Sequence, residues 1–136
     1  MPKPSARIVE LVEALPLRRG MRVLELGCGP GVAARLVAER IGAKNVLGID
    51  RSKTAIAQAR KSAPELTFRV AAIEDFTLAA DERPYDLAFA LRVGALDGRH
   101  PELEAKALAR ITAALTKKGR LFIDGGDPLR ELKLNR

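Results

Sequence analysis

One cysteine, one histidine, one tyrosine and no tryptophan occur in the 136 residues, and each scarcity closes a line of explanation. Cys28 alone rules out an intrachain disulfide, and with only His100 beside it there is no zinc-ligand cluster, so metal chemistry is not expected. Four phenylalanines and the single tyrosine offer little for stacking bases. That weighs against nucleic acid, the acidic partner that a formal charge of +7 would otherwise invite. The basic residues are dispersed, with local doublets at Arg18-Arg19 and Lys117-Lys118, and read as a solvated surface. No apolar run approaches the length needed to cross a bilayer. The opening Met1-Pro2-Lys3-Pro4-Ser5 leads into an amphipathic stretch rather than the apolar core of a secretory signal. A cytoplasmic protein without a membrane partner is the expectation.

What is present suits one domain over residues 1–136: a hydrophobic fraction of 47% and a charged fraction of 30%. Ile8, Leu11, Val12 and Leu15 share one helical face, and Pro16 ends that helix. Met21 to Leu26 reads as a buried strand that runs straight into Gly27-Cys28-Gly29-Pro30-Gly31. Val32, Leu36, Val37 and Ile41 mark the next helix, closed by Gly42. Asn45 to Ile49 forms a second strand ending on Asp50, and Ser52 N-caps a helix over residues 53–62. Leu66 to Val70 and Tyr85 to Leu91 are the third and fourth strands. Pro101 opens a long helix that turns Leu103, Ala107, Leu108, Ile111 and Leu115 inward, with Gly119 as its stop. Arg120 to Ile123 is the fifth strand. Strands alternating with helices predict an α/β fold, a doubly wound, mainly parallel sheet. Its ligand site belongs at the carboxyl ends of the strands, where winding reverses and Gly27, Asp50 and the loop after Leu91 should converge.

The glycine loop is not a standard nucleotide loop. A dinucleotide fingerprint places its third glycine five residues after the first; here that position is Val32, and the third glycine comes one residue early, at Gly31. No Gly-Lys-Ser/Thr follows, which excludes a P-loop. Glu25 lies inside the strand, where an unpaired carboxylate would cost several kcal/mol, and it would repel a pyrophosphate. Beside a sulfonium and an ammonium the same charge is favourable, as with S-adenosylmethionine. Asp50 can accept hydrogen bonds from both hydroxyls of a ribose. Its other reading is an acid at the start of the helix after Ser52.

Taken together, Val23-Leu24-Glu25-Leu26-Gly27-Cys28-Gly29-Pro30-Gly31 resembles the first motif of the class I S-adenosylmethionine-dependent methyltransferases, and Leu47-Gly48-Ile49-Asp50 their second. Tyr85-Asp86-Leu87-Ala88-Phe89-Ala90 is similar to their fourth-strand motif, and residues 115–123 to their helix-turn-strand near strand five. The resemblance runs from about Met21 to Ile123. It implies a Rossmann-like sheet of order 3-2-1-4-5 and S-adenosyl-L-methionine as cofactor. By the same resemblance Glu25, Gly27 and Gly29 line the methionine part and Asp50 holds the ribose, with Cys28 and Gly31 of the same loop also counted as cofactor-binding. Arg51 and Ser52 flank the adenine, with Ile73 covering the ring and either Glu74 or Asp75 supplying a carboxylate. The first acid of the family's pattern after strand three is replaced by Ala72.

The loop after strand four should face the transferable methyl. Asp97 and His100 are its candidate bases, and Arg92 could pair an acidic substrate. Asp97-Gly98 is also a common turn, and His100 also precedes a helix start. The loop lacks the Asn/Asp-Pro-Pro-Tyr/Phe run of methyltransferases similar in kind that act on nucleic-acid amino groups. A small-molecule acceptor is therefore expected. A cofactor-binding module without turnover is the alternative, and an RNA or protein methyltransferase the lesser one. Because little chain follows Ile123, strand five is expected to be an exposed edge, covered by a second copy or a partner subunit.

Overall fold

The computed structural model describes residues 3–136; Met1 and Pro2, which begin the segment read as leading into the first helix, lie outside the described residues. The elements in order are α1 (Ala6–Ala14), β1 (Val23–Leu26), α2 (Val32–Ile41), β2 (Val46–Asp50), α3 (Lys53–Ser62), β3 (Thr67–Val70), β4 (Tyr85–Ala90), α4 (Pro101–Ala114), β5 (Leu115–Asp124) and β6 (Leu129–Leu132). One six-stranded sheet carries them in the order β3-β2-β1-β4-β5-β6, parallel except for β6. β1 lies at the centre, and the chain winds outward from it in both directions. The carboxyl ends of β1 and β4 are thus adjacent at the point of reversal, as the doubly wound pattern requires.

Strand periodicity sorts the core into two layers. Val23, Leu87 and Phe89 face the side covered by α1, α2 and α3, with Val37, Ile56 and Phe68 packed beneath. Leu24, Leu26, Ala88 and Ala90 face the other side, against Ala107 and Ile111 of α4. Burial on both faces explains why these strands are nearly continuous apolar runs. Local signals set the helix starts: Ser5 accepts from the Ile8 N–H at 3.2 Å, and Ser52 from the Ala55 N–H at 3.1 Å.

The end of the chain differs from expectation. Strand five is not an exposed edge: Gly125 to Pro128 turn the chain back, and β6 pairs antiparallel with β5, setting Leu132 opposite Leu121. The stated reason for a second subunit at that edge falls with it. Arg130 and Glu131 are exposed on β6, and short charged strands of this kind discourage further edge pairing. Gly119 does not stop the preceding helix either. α4 ends at Ala114, and Leu115 already pairs with Tyr85, so Leu115 belongs to the strand. The register then jumps from Tyr85/Leu115 to Leu87/Arg120. Gly119 sits in this bulge, where a Cβ would come within 2.7 Å of the Leu115 Cβ.

Candidate functional site

Two clefts open at the carboxyl ends of the strands, each of about 290 Å³, and both are lined by Gly27 and Arg92. The first lies over β2, β3 and the loop after β4, with Asp50, Arg51, Ile73 and Glu74 on one side and His100 on the other. The second lies over β1, where Glu25 and residues 27–30 meet Ile8 and Leu11 of α1.

Glu25 is the one polar or charged residue among the buried ones described, at 3% exposure. It shares a face with Val23 because strand positions alternate, which turns it toward α2 and into the second cleft. Its Oε1 has no hydrogen-bond partner. Burial pushes its carboxyl up to about 8, opposed by the backbone N–H of Ala34 and reinforced by the charge of Asp50. A buried carboxyl oxygen left unpaired is costly, and a donor or a cation entering the cleft would relieve that cost.

Asp50 joins the two strand ends. One carboxylate oxygen accepts from the Gly29 N–H at 2.8 Å and the other from the Ser52 N–H at 2.9 Å. Asp50 therefore stands at the start of α3, as one of its readings had it, and also fixes the glycine loop; each oxygen keeps further accepting capacity, and the residue lines the first cleft. Gly29 has φ 54° and no atom within 4 Å of where a Cβ would stand, so a ligand can approach its backbone directly. Gly31 differs. It N-caps α2 at φ 85°, lines neither cleft, and a Cβ there would meet the Phe68 ring at 2.8 Å. Its glycine serves packing.

The remaining sequence candidates divide the same way. Cys28 is buried, and desolvation pushes its thiol up, with Glu25 and Asp50 adding to the shift. What it contributes is a backbone N–H donated to Ile49 at 2.8 Å. Arg51 and Ile73 line the first cleft, as does Glu74, whereas Asp75 turns away to pair with Lys106 at 2.8 Å. His100 lines the first cleft with its side chain 58% exposed and its Nδ1 3.6 Å from Glu102. Asp97 lines neither cleft. Its carboxylate accepts from the Arg99 Nε at 2.9 Å, and that bond holds it below the usual carboxylate range, which suits an anchor better than a base. Among the described residues no three His, Cys, Asp or Glu side chains gather as metal ligands, and no helix is long and apolar enough to cross a membrane.

Sequence reasoning missed Asp124 and α1. Asp124 ends β5 beside the second cleft and accepts from the Arg92 N–H at 3.0 Å. The rule that sites gather at strand ends would have found it. The apolar face of α1 was legible, but nothing in its periodicity says that Ile8 and Leu11 wall a cleft.

Comparison with known proteins adds a family. The model for the family described as "Methyltransferase domain" matches residues 23–119. The chain is 35% identical over 129 residues to a trans-aconitate 2-methyltransferase of Delftia acidovorans, covering 95% of this chain and 46% of that protein. Among solved structures it is similar to an S-adenosylmethionine-dependent methyltransferase from Mesorhizobium loti (TM-score 0.69, 27% identity, 88% of this chain and 52% of the other). A TehB-like enzyme of the same kind from Corynebacterium glutamicum gives a TM-score of 0.70 at 27% identity, covering 89% and 62%. The chain spans about half the length of the curated relatives it matches.

Proposed function

The chain belongs to the methyltransferase-domain family, and from that premise we propose that it binds S-adenosylmethionine across the two clefts and transfers its methyl group to a small-molecule acceptor. The observation that carries this reading is the orphaned, buried Glu25 oxygen in the second cleft. A ligand bringing an ammonium and a sulfonium satisfies it, whereas a nicotinamide dinucleotide would bring a pyrophosphate against it. Asp50 holds the ribose through its two free lone pairs, and Gly29 admits the ligand to the backbone. Ile73, Glu74 and Arg51 surround the adenine. When bound, the cofactor supplies a methyl group already activated by its sulfonium. The protein then has to hold an acceptor in line and exclude water, which proximity alone makes worth several orders of magnitude in rate.

His100 is the base available in the first cleft for an acceptor that must lose a proton. An ionised carboxylate needs none. The relatives named for trans-aconitate make that acid the first acceptor to try. Incubation with methyl-labelled S-adenosylmethionine and trans-aconitate should give a labelled small-molecule product. Tight cofactor binding with no transfer to any small acid would instead mark a binding module without turnover.

A further inference from the structure

Among the described residues Arg92 is the one non-glycine with a positive φ, 58°. An arginine gains nothing locally from this left-handed conformation, since its Cβ crowds the backbone. Such strain persists only where the surroundings impose it, and here they do so from both sides of the residue. The Arg92 N–H donates to Asp124 Oδ1 at 3.0 Å, and the Arg92 carbonyl accepts from Arg99 Nη2 at 2.7 Å. Arg99 is held in turn by Asp97, through both carboxylate oxygens. A chain of charged contacts thus fixes the backbone torsion of an exposed residue whose two neighbours, Leu91 and Val93, pack against the core on either side of the sheet. The side chain that this torsion aims belongs to the lining of both clefts, and it has no ion pair or hydrogen bond among the described residues.

We propose that the Arg92 guanidinium is the anchor for a carboxylate of the methyl acceptor, and that Asp97, Arg99 and Asp124 are positioning residues that hold it there. This rests on the reading of the clefts as a cofactor site. A guanidinium suits a planar carboxylate because it presents a fork of donors. The cofactor carries a carboxylate of its own, but the second cleft has another arginine in its lining, Arg7 of α1, for that group. Arg92, in the loop after β4, lines both clefts and takes the acceptor.

The test uses the whole chain loaded with S-adenosylhomocysteine, titrated calorimetrically with trans-aconitate and with its uncharged triamide. Wild type should bind the acid and not the amide. Arg92→Ala should weaken binding of the acid by at least tenfold while leaving affinity for S-adenosylhomocysteine unchanged. Asp97→Asn should weaken the acid by a smaller factor, again with cofactor affinity intact, and Asp97→Glu should recover part of the loss. Arg92→Gly relieves the strained torsion, so it should lose the acid yet melt no lower than wild type. Equal binding of the acid by wild type and Arg92→Ala, or no preference over the amide, overturns the proposal. Loss of S-adenosylhomocysteine affinity in Arg92→Ala assigns the guanidinium to the cofactor carboxylate and overturns it as well. Failure of wild type to bind S-adenosylhomocysteine at all is a different result: it removes the reading of the clefts, and the anchor falls with it.

Discussion

Glu25 has its carboxyl held near 8 by burial, against an ordinary value of 4.5. Between those values the folded chain binds a proton that the unfolded chain has released, so raising pH across this window drains stability from the ligand-free protein. Glu25→Gln mimics the protonated form. It should raise the melting temperature of the ligand-free protein at pH 8 relative to wild type, and flatten the pH dependence below that. Binding of a cationic cofactor has the opposite slope, because it needs the ionised carboxylate. Affinity for S-adenosylmethionine should climb by up to tenfold per pH unit from pH 6 toward 8, and titrations in buffers of different ionisation enthalpy should detect a released proton. In Glu25→Gln the slope should vanish and affinity fall. A wild-type affinity flat in pH over this range would show that Glu25 does not meet the positive charge. The neighbouring Cys28 thiol is pushed up by burial, so it stays neutral over this range and does not mask the slope.

At the scale of elements, the glycine loop separates into parts with different purposes. Gly29 leaves room for a ligand, while Gly31 lets α2 begin against Phe68 of β3 and Ala59 of α3. Gly31→Ala adds a Cβ that meets the Phe68 ring and sits at φ 85°, so thermal unfolding should show a loss of about 1–3 kcal/mol. A variant as stable as wild type would return Gly31 to the ligand. Sequence spacing could single out Gly31 as early, but only the packing of Phe68 says why. β1, Asp50 and the Ser52 cap were legible because each has a local signature: a continuous apolar strand, a terminal acid, a side chain at the capping position. The β5–β6 hairpin was not. Leu129, Leu132 and Leu134 follow no strict period of two, and the Gly125-Gly126 turn reads equally well as the start of a loose tail. The bulge at Gly119 hid the start of β5 in the same way, since a glycine after an apolar helix usually marks its end.

At the scale of the whole chain, the strand order came from the family resemblance, whereas the doubly wound parallel sheet and the convergence of Gly27, Asp50 and the loop after β4 followed from the alternation of strands and helices. The pairing of Arg92 with Asp124 did not, because the two are separated by 32 residues and meet only when β4 and β5 lie side by side. Asp97 was read as a candidate base or a turn residue from its neighbourhood in sequence, and the structure pairs its carboxylate with Arg99. What decides the account is the identity of the ligand. Calorimetric titration with S-adenosylmethionine and with a nicotinamide dinucleotide, on wild type and on Asp50→Ala, tests it directly. Wild type should bind S-adenosylmethionine and not the dinucleotide, and loss of both accepting oxygens should cost about 2–3 kcal/mol of that affinity, on the order of a hundredfold. Preference for the dinucleotide, or full cofactor affinity in Asp50→Ala, would contradict it.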